Sequence, residues 1–310
     1  MLFTIAIPTY NNHLTIKNAV NSCIRQDENL CYEVLILDNH SHDGTENILQ
    51  EMCQVKPARL QVIRNPKTVT MYENHNLCLE HARGDYILFC HADDTLCENA
   101  LQILHAKLQQ RNFPQKYIVW GRSLFRDFFK NLNMAGVGFN TVLSGEDAYI
   151  PFFYSGLTPS GTCYGKYGLK EAGGFLQTKH RKATSDMSTM MYLAYLEFEF
   201  EMLDQLYFNR EYASTAIKGS AEERVAALAD ALDVLVDKIG EAEFLKISCR
   251  AADIKSRPPL DFLTYLVRKK YHLREIKSLL LKNPTRLLRL LSNKSYRLLV
   301  KECFIKSSFN

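Results

Sequence analysis

His91-Ala92-Asp93-Asp94 closes the apolar run Tyr86-Ile87-Leu88-Phe89-Cys90. A buried strand that ends in adjacent carboxylates presents hard oxygen ligands at a sheet edge, where a divalent cation and a diphosphate can meet. Paired acids alone carry little weight. Here a second acidic strand end lies upstream, at Val34-Leu35-Ile36-Leu37-Asp38-Asn39, and the first apolar run, Leu2 to Ile7, closes in Pro8-Thr9-Tyr10-Asn11. Three strand ends that each carry polar residues read as one ligand crevice.

The elements that must hold these residues follow from periodicity. Strand-like runs at 2–7, 33–37, 60–63, 85–90 and 116–120 alternate with helical segments near 13–25, 44–54, 73–82 and 98–110. That alternation predicts an α/β fold, a mainly parallel sheet with helices on both faces. Asp43-Gly44-Thr45 is a turn leading into a helix, and Glu98 starts another helix soon after the Asp pair. From 150 to 185 the pattern gives way to Gly-rich sequence (Gly156, Gly161, Gly165, Gly168, Gly173-Gly174), a length of loop that in a compact domain usually carries function. Beyond Arg210 the chain changes character. Ser220-Ala221-Glu222-Glu223 is a capping box for a helix running to about Ile239, and helices continue to the end, broken at Pro258-Pro259 and Pro284. The expected division is a catalytic α/β domain over 1–215 and a basic helical extension over 216–310.

Composition sets outer bounds. At 310 residues, 46% hydrophobic and 23% charged, the chain has ample material for a large core and is not a disordered sequence. Nine cysteines form no C-x-x-C pair and several sit in apolar runs, which points to reduced, packed thiols in the cytoplasm. The N-terminus lacks a basic n-region, and no uninterrupted apolar stretch approaches about 18 residues, so neither a signal peptide nor a transmembrane helix is expected. The net charge of +4 is small but uneven: residues 268–306 hold twelve Lys/Arg against Glu275 and Glu302. No nucleic-acid motif or interleaved aromatic pattern accompanies that charge, so nucleic acid is not an expected partner.

Taken in order, Pro8-Thr9-Tyr10-Asn11, Asp38-Asn39-His40-Ser41-His42-Asp43-Gly44-Thr45, Asn76 with Ala82-Arg83-Gly84-Asp85-Tyr86-Ile87, and His91-Ala92-Asp93-Asp94 resemble the family-2 inverting glycosyltransferases of GT-A fold. The resemblance covers roughly residues 1–215, and its specificity lies in the ordered set. It implies a Rossmann-like sheet, a nucleotide diphosphate sugar, UDP-linked in the first instance, as donor, and a Mn²⁺ or Mg²⁺ ion. It places Pro8, Thr9, Tyr10, Asn11, Asp38, Asn76 and Asp93 in the donor site, with Tyr10 against the nucleobase, Asp38 accepting an N–H from uracil and Asp93 on the ribose side. Asp94 binds the metal that bridges the two phosphates. Plain chemistry agrees with the last role, since a nucleoside diphosphate leaves with negative charge that must be neutralised. Each residue also has a structural reading: Tyr10 as a packed rim aromatic, Asp38 as a turn or cap acid, Ser41 and Asp43 as turn and cap residues. Where many relatives carry another Asp, this chain has His91, which weakens a ligand role for position 91.

Gly173-Gly174-Phe175 and Lys179-His180-Arg181-Lys182-Ala183-Thr184-Ser185-Asp186 resemble the family's acceptor loop and Glu-Asp signature, with Ser185 in place of the Glu. An inverting transfer needs one carboxylate to take the acceptor proton, and the resemblance makes Asp186 that base; capping a helix that begins near Met187 is its structural alternative. Tyr212 stands where relatives often have a His that adds a metal ligand, leaving the third protein ligand open. Arg286, Arg289, Arg297 and Lys301 recur at helical spacing opposite Leu287, Leu288, Leu291, Leu298 and Leu299. Such a helix can lie on an anionic membrane at the inner face of the cell membrane, or pack its Leu face on the catalytic domain. The resemblance thus implies a hexosyltransferase with a glycan or lipid-linked glycan acceptor, of the type that builds bacterial lipopolysaccharide, O-antigen or capsule. A non-catalytic nucleotide-sugar or glycan-binding module on the same fold is the alternative.

Overall fold

A computed structural model describes residues 2–55, 58–123, 138–154, 156–178, 185–210, 221–244 and 246–247. Its first half follows the sequence pattern closely. Strands β1 (Phe3–Thr9), β2 (Tyr32–Asp38), β3 (Leu60–Arg64) and β4 (Tyr86–Phe89) alternate with helices α1 (Ile16–Ile24), α2 (Thr45–Val55) and α3 (Met71–His81). These four strands run parallel in the order β3-β2-β1-β4. Chain order therefore reverses between β1 and β4, and their C-terminal ends frame the crevice where open α/β sheets take ligands.

Burial explains the near-continuous apolar runs. In β2, Tyr32, Val34 and Ile36 point to one core, and Leu35 and Leu37 point to the other. Ile5 and Ile7 of β1 likewise face the first core while Ala6 faces the second, as period-2 geometry requires of strands covered on both sides. α1 covers the first core through Ile16, Ala19, Val20 and Cys23, one helical stripe. Gly84 is needed where β4 is laid beside β1: a Cβ there would lie 2.5 Å from the Phe3 carbonyl carbon. Its N–H donates to Thr4 Oγ1 at 2.8 Å, and Thr4 Oγ1 in turn donates to the buried Glu33 at 2.7 Å.

The second half differs from the expected mainly parallel sheet. It contains β5 (Asp94–Leu96), α4 (Ala100–Gln110), β6 (Tyr117–Ser123), β7 (Val142–Leu143), α5 (Gly145–Tyr154), β8 (Thr162–Gly165), α6 (Lys166–Glu171), α7 (Ser185–Tyr195) and β9 (Glu199–Arg210). β8 runs antiparallel between β4 and β6; β9 is parallel to β6 and antiparallel to β5 and β7. The sheet is parallel on one side and mixed on the other. Periodicity could not show this, because β5 and β7 are too short to carry a period.

Helix α8 (Ala221–Ile239) begins where the capping box predicts. Leu232, Leu235, Ile239, Phe244 and Ile247 share a core with Met190 and Met191 of α7, so the start of the expected extension packs on the sheet domain. The basic stretch 268–306 lies outside the described residues. Among the described residues no helix is long and apolar enough to cross a membrane.

Candidate functional site

The loops after β1 and β2 are built as one unit. Asn39 N–H donates to the Thr9 carbonyl at 2.9 Å, Asn11 N–H to Ser41 Oγ at 2.9 Å, and His42 N–H to Asn11 Oδ1 at 2.9 Å. Asn11 takes φ +55°, the left-handed region that Asn tolerates better than most residues. Thr9 is buried against Asn12, whereas Tyr10 is 48% exposed. Pro8 stays within β1, its missing donor costing nothing to the loop. Asp43 accepts from Thr45 N–H at 3.0 Å and from His13 N–H at 3.0 Å, so it caps α2 and ties it to the first loop. Burial opposes ionisation of Asp43, but these hydrogen bonds outweigh it and hold its carboxyl well below the usual carboxylate range.

Asp38 is buried, with Oδ1 accepting from Ser41 N–H at 3.1 Å and from its hydroxyl, and Oδ2 accepting from Arg64 Nη1 at 2.9 Å. It closes the turn that its structural reading predicts. Arg64 also bonds the Ser41 carbonyl at 3.0 Å and pairs with Glu46 at 2.7 Å, locking β3 to the same loop.

The acidic end of β4 is the centre of the site. A ring nitrogen of His91 and one carboxylate oxygen each of Asp93 and Asp94 lie within 4.8 Å of one another. Asp94 is buried, and its Oδ2 accepts from Ser160 Oγ at 2.7 Å; the same hydroxyl oxygen accepts from His91 N–H at 2.8 Å. Ser160, on the turn into β8, thus fixes both residues. This donor set of carboxylate oxygens with one imidazole fits a divalent cation.

Behind it stands His75, from the first turns of α3. Its Nδ1 is 2.8 Å from the Met71 carbonyl, which can only accept, and its Nε2 is 3.0 Å from His91 Nε2. The ring is buried against Phe89 and Phe175, at centroid distances of 5.1 and 5.6 Å. Burial first, and the facing His91 second, push its pKa down to about 3, so His75 is neutral at physiological pH.

Asp186 lies in the first turn of α7. Its Oδ1 accepts from Met187 N–H at 2.9 Å, and its own N–H donates to Tyr72 Oη at 3.1 Å. Its carboxylate lies against Gly156, where a Cβ would come within 2.5 Å of Asp186 Cγ. Burial, aided by the Asp186 charge, drives the Tyr164 phenol far up, so it stays protonated. A closed ring of neighbours results: Asp186 to Tyr72, Tyr72 to His75 (ring centroids 5.6 Å apart), His75 to His91, His91 and Asp94 to Ser160, and the 156–160 loop back to Asp186.

Asn76, on α3, accepts from Phe175 N–H at 2.8 Å and donates to the Phe175 carbonyl at 2.9 Å. Both ends of its amide are engaged in holding the Gly173-Gly174 loop. Residues 179–184, with His180, Arg181 and Lys182, lie outside the described residues, as does Tyr212. Sequence reasoning missed His75, Tyr72, Gly156, Ser160 and Arg64. Their roles depend on partners distant in the chain, and Gly156 stood out only as one of several glycines between 150 and 185.

Comparison with known proteins bears on the family and the fold. Residues 4–127 match the model of Glycosyl transferase family 2. Abequosyltransferase RfbV of Salmonella typhimurium is 31% identical over 112 residues, 36% of this chain and 34% of its own. The Escherichia coli UDP-Glc:alpha-D-GlcNAc-diphosphoundecaprenol beta-1,3-glucosyltransferase WfgD is 24% identical over 165 residues, 49% of this chain and 64% of its own. The chain therefore spans about a third of the length of the first and under two thirds of the second. The crystal structure of Staphylococcus aureus TarS 1-349 in complex with UDP-GlcNAc matches with TM-score 0.58 at 17% identity, covering 86% of this chain and 79% of that one. Mannosyltransferase PcManGT from Pyrobaculum calidifontis, solved with GDP-Man and Mn²⁺, matches with TM-score 0.54 at 16% identity, covering 98% and 86%. These likenesses establish the GT-A fold. It is over residues 4–127 that the chain is similar to glycosyl transferase family 2.

Proposed function

We propose that this protein transfers a hexose or N-acetylhexosamine, with inversion, from a nucleotide diphosphate sugar, most simply a UDP-sugar, to a glycan or lipid-linked glycan of a bacterial surface polysaccharide. The observation that carries this reading is the ring of neighbours that joins the acid pair after β4 to Asp186 around one crevice at the β1/β4 switch point. Tyr10, Thr9, Asn11 and Asp38 form its nucleotide side, with the exposed Tyr10 ring suited to stack on a base. Asn76 serves it by fixing Phe175. Asp93 takes the ribose side and Asp94 would hold Mn²⁺ or Mg²⁺, which when bound neutralises the charge that develops on the leaving diphosphate.

Asp186 serves as the general base. As the acceptor oxygen forms its bond to the anomeric carbon, the bond from that carbon to the diphosphate oxygen breaks, and the acceptor proton passes to the Asp186 carboxylate. Gly156 leaves the space that this carboxylate needs.

The twelve-to-two cationic excess over 268–306 supports a seat for the enzyme on an anionic membrane surface beside a lipid-linked acceptor. Truncation after Asn283 should then lower binding to anionic liposomes; equal binding with and without the tail would exclude this role. A thermal-shift panel of UDP, GDP, dTDP and CMP, with and without Mn²⁺, tests the donor reading, because a ligand that binds the native state raises its apparent stability. UDP with Mn²⁺ should give the largest rise. No shift with any nucleotide would contradict donor binding.

A further inference from the structure

We propose that His91 is a nitrogen ligand to the cation held by Asp94, and that His75 holds it in the ligating tautomer. The proposal rests on the metal–nucleotide reading above and adds to it a donor set particular to this chain.

The tautomer follows from two contacts. His75 Nδ1 faces the Met71 carbonyl at 2.8 Å, so Nδ1 carries hydrogen. A ring buried among Tyr72, Phe89 and Phe175 holds a single hydrogen, which Nδ1 already carries, so the 3.0 Å contact between the two Nε2 atoms requires His91 to supply the hydrogen. A neutral His91 protonated on Nε2 carries its lone pair on Nδ1. Metal-bound histidines are oriented in this way, with the second ring nitrogen donating to a fixed acceptor. An imidazole is an unusual acceptor for that bond, and it leaves no added negative charge behind the site.

Placement agrees with the chemistry. The His75 ring is clamped by Tyr72, Phe89 and Phe175, and the His91 ring stands at 81° to it. The His91 backbone is pinned by the serine whose hydroxyl binds Asp94, so the ring and the carboxylate move together. A ring nitrogen of His91 and one carboxylate oxygen each of Asp93 and Asp94 lie within 4.8 Å of one another. Opposite ligands of a small octahedral cation are about 4.2 Å apart, so small side-chain rotations close the set. Exchanging a carboxylate for imidazole lowers the site's negative charge and favours Mn²⁺ or Co²⁺ over Mg²⁺.

Pulsed electron paramagnetic resonance of Mn²⁺ bound with UDP to the full chain, carrying ¹⁴N- or ¹⁵N-labelled histidine, reads the bond directly. The wild type should show coupling to a histidine nitrogen that changes with the isotope. His91→Asp should lose the coupling and narrow the preference for Mn²⁺ over Mg²⁺. His75→Phe, which keeps ring volume but removes the acceptor, should weaken the coupling and lower Mn²⁺ affinity by about 10–100-fold. Should His75→Phe fail to fold, His91→Asp carries the test alone. A Mn²⁺–UDP complex without histidine coupling, or coupling that persists in His91→Asp, overturns the proposal. Absence of any Mn²⁺-dependent UDP binding to the wild type would overturn the metal reading beneath it, a distinguishable result.

Discussion

On the β3-β2-β1-β4 side, each site-bearing loop directly follows its own strand, and the two loops bind each other through Asn11, Asn39, Ser41 and His42. On the β8-β6-β9-β5 side, Asp186 owes its place to Gly156 and to Tyr72, 114 residues away in sequence. The proposed donor side is made by local chain geometry and the proposed acceptor side by packing. Asp94 stands at the join, closing the approach from β4 and opening β5, which pairs with β9. Asn76 makes the same join from α3, gripping the Phe175 backbone. Such a division suits an enzyme that keeps one donor chemistry while its acceptor surface varies, since loops set by packing can change without disturbing the strand ends.

The largest effect should come from breaking that join. Asp94→Ala should lower transfer by about 10³-fold, the scale of losing a group that stabilises developing charge. It should also remove the Mn²⁺-dependent part of UDP binding while the thermal transition remains cooperative. Calorimetric titration with UDP, with and without Mn²⁺, checks this, and an unchanged Mn²⁺ dependence would remove Asp94 from the site.

A smaller effect isolates the acceptor side. In Gly156→Ala the new methyl would meet Asp186 Cγ at 2.5 Å, so the carboxylate must shift. Misplacement by about 1 Å costs on the order of 10²-fold in rate. We expect kcat to fall by about that factor while UDP affinity holds, because the group displaced is the Asp186 carboxylate and not the acids after β4. Equal losses in kcat and in UDP affinity would show that the two sides are not separable.

The same contrast explains what could be read in advance. β1 to β4 and α1 to α4 were legible because a strand buried on both faces must be continuously apolar, and a half-covered helix must repeat its stripe. The positions of Asp38, Asp93 and Asp94 at or just beyond strand ends followed, since a carboxylate there is a local signal. In the mixed half α4 and β6 were legible, but β5 and β7, with three and two residues, were not. His75 reads in sequence as an ordinary polar residue on α3, and only the fold brings its imidazole to His91. Asn76 shows the limit from the other direction, since its type suggested ligand contact while its amide is spent on Phe175.

The measurement that bears most directly on the account is steady-state transfer by Asp186→Asn, run beside donor titration. Asn keeps the size of the side chain and an oxygen for Met187 N–H, but it cannot take a proton. The account predicts a fall in transfer of about 10²–10⁴-fold with UDP and Mn²⁺ affinities within a few-fold of the wild type. Turnover within a few-fold of the wild type would place the base elsewhere, with Glu171 in the neighbouring acceptor loop the next residue to test, and would contradict the division of labour between the two halves of the sheet.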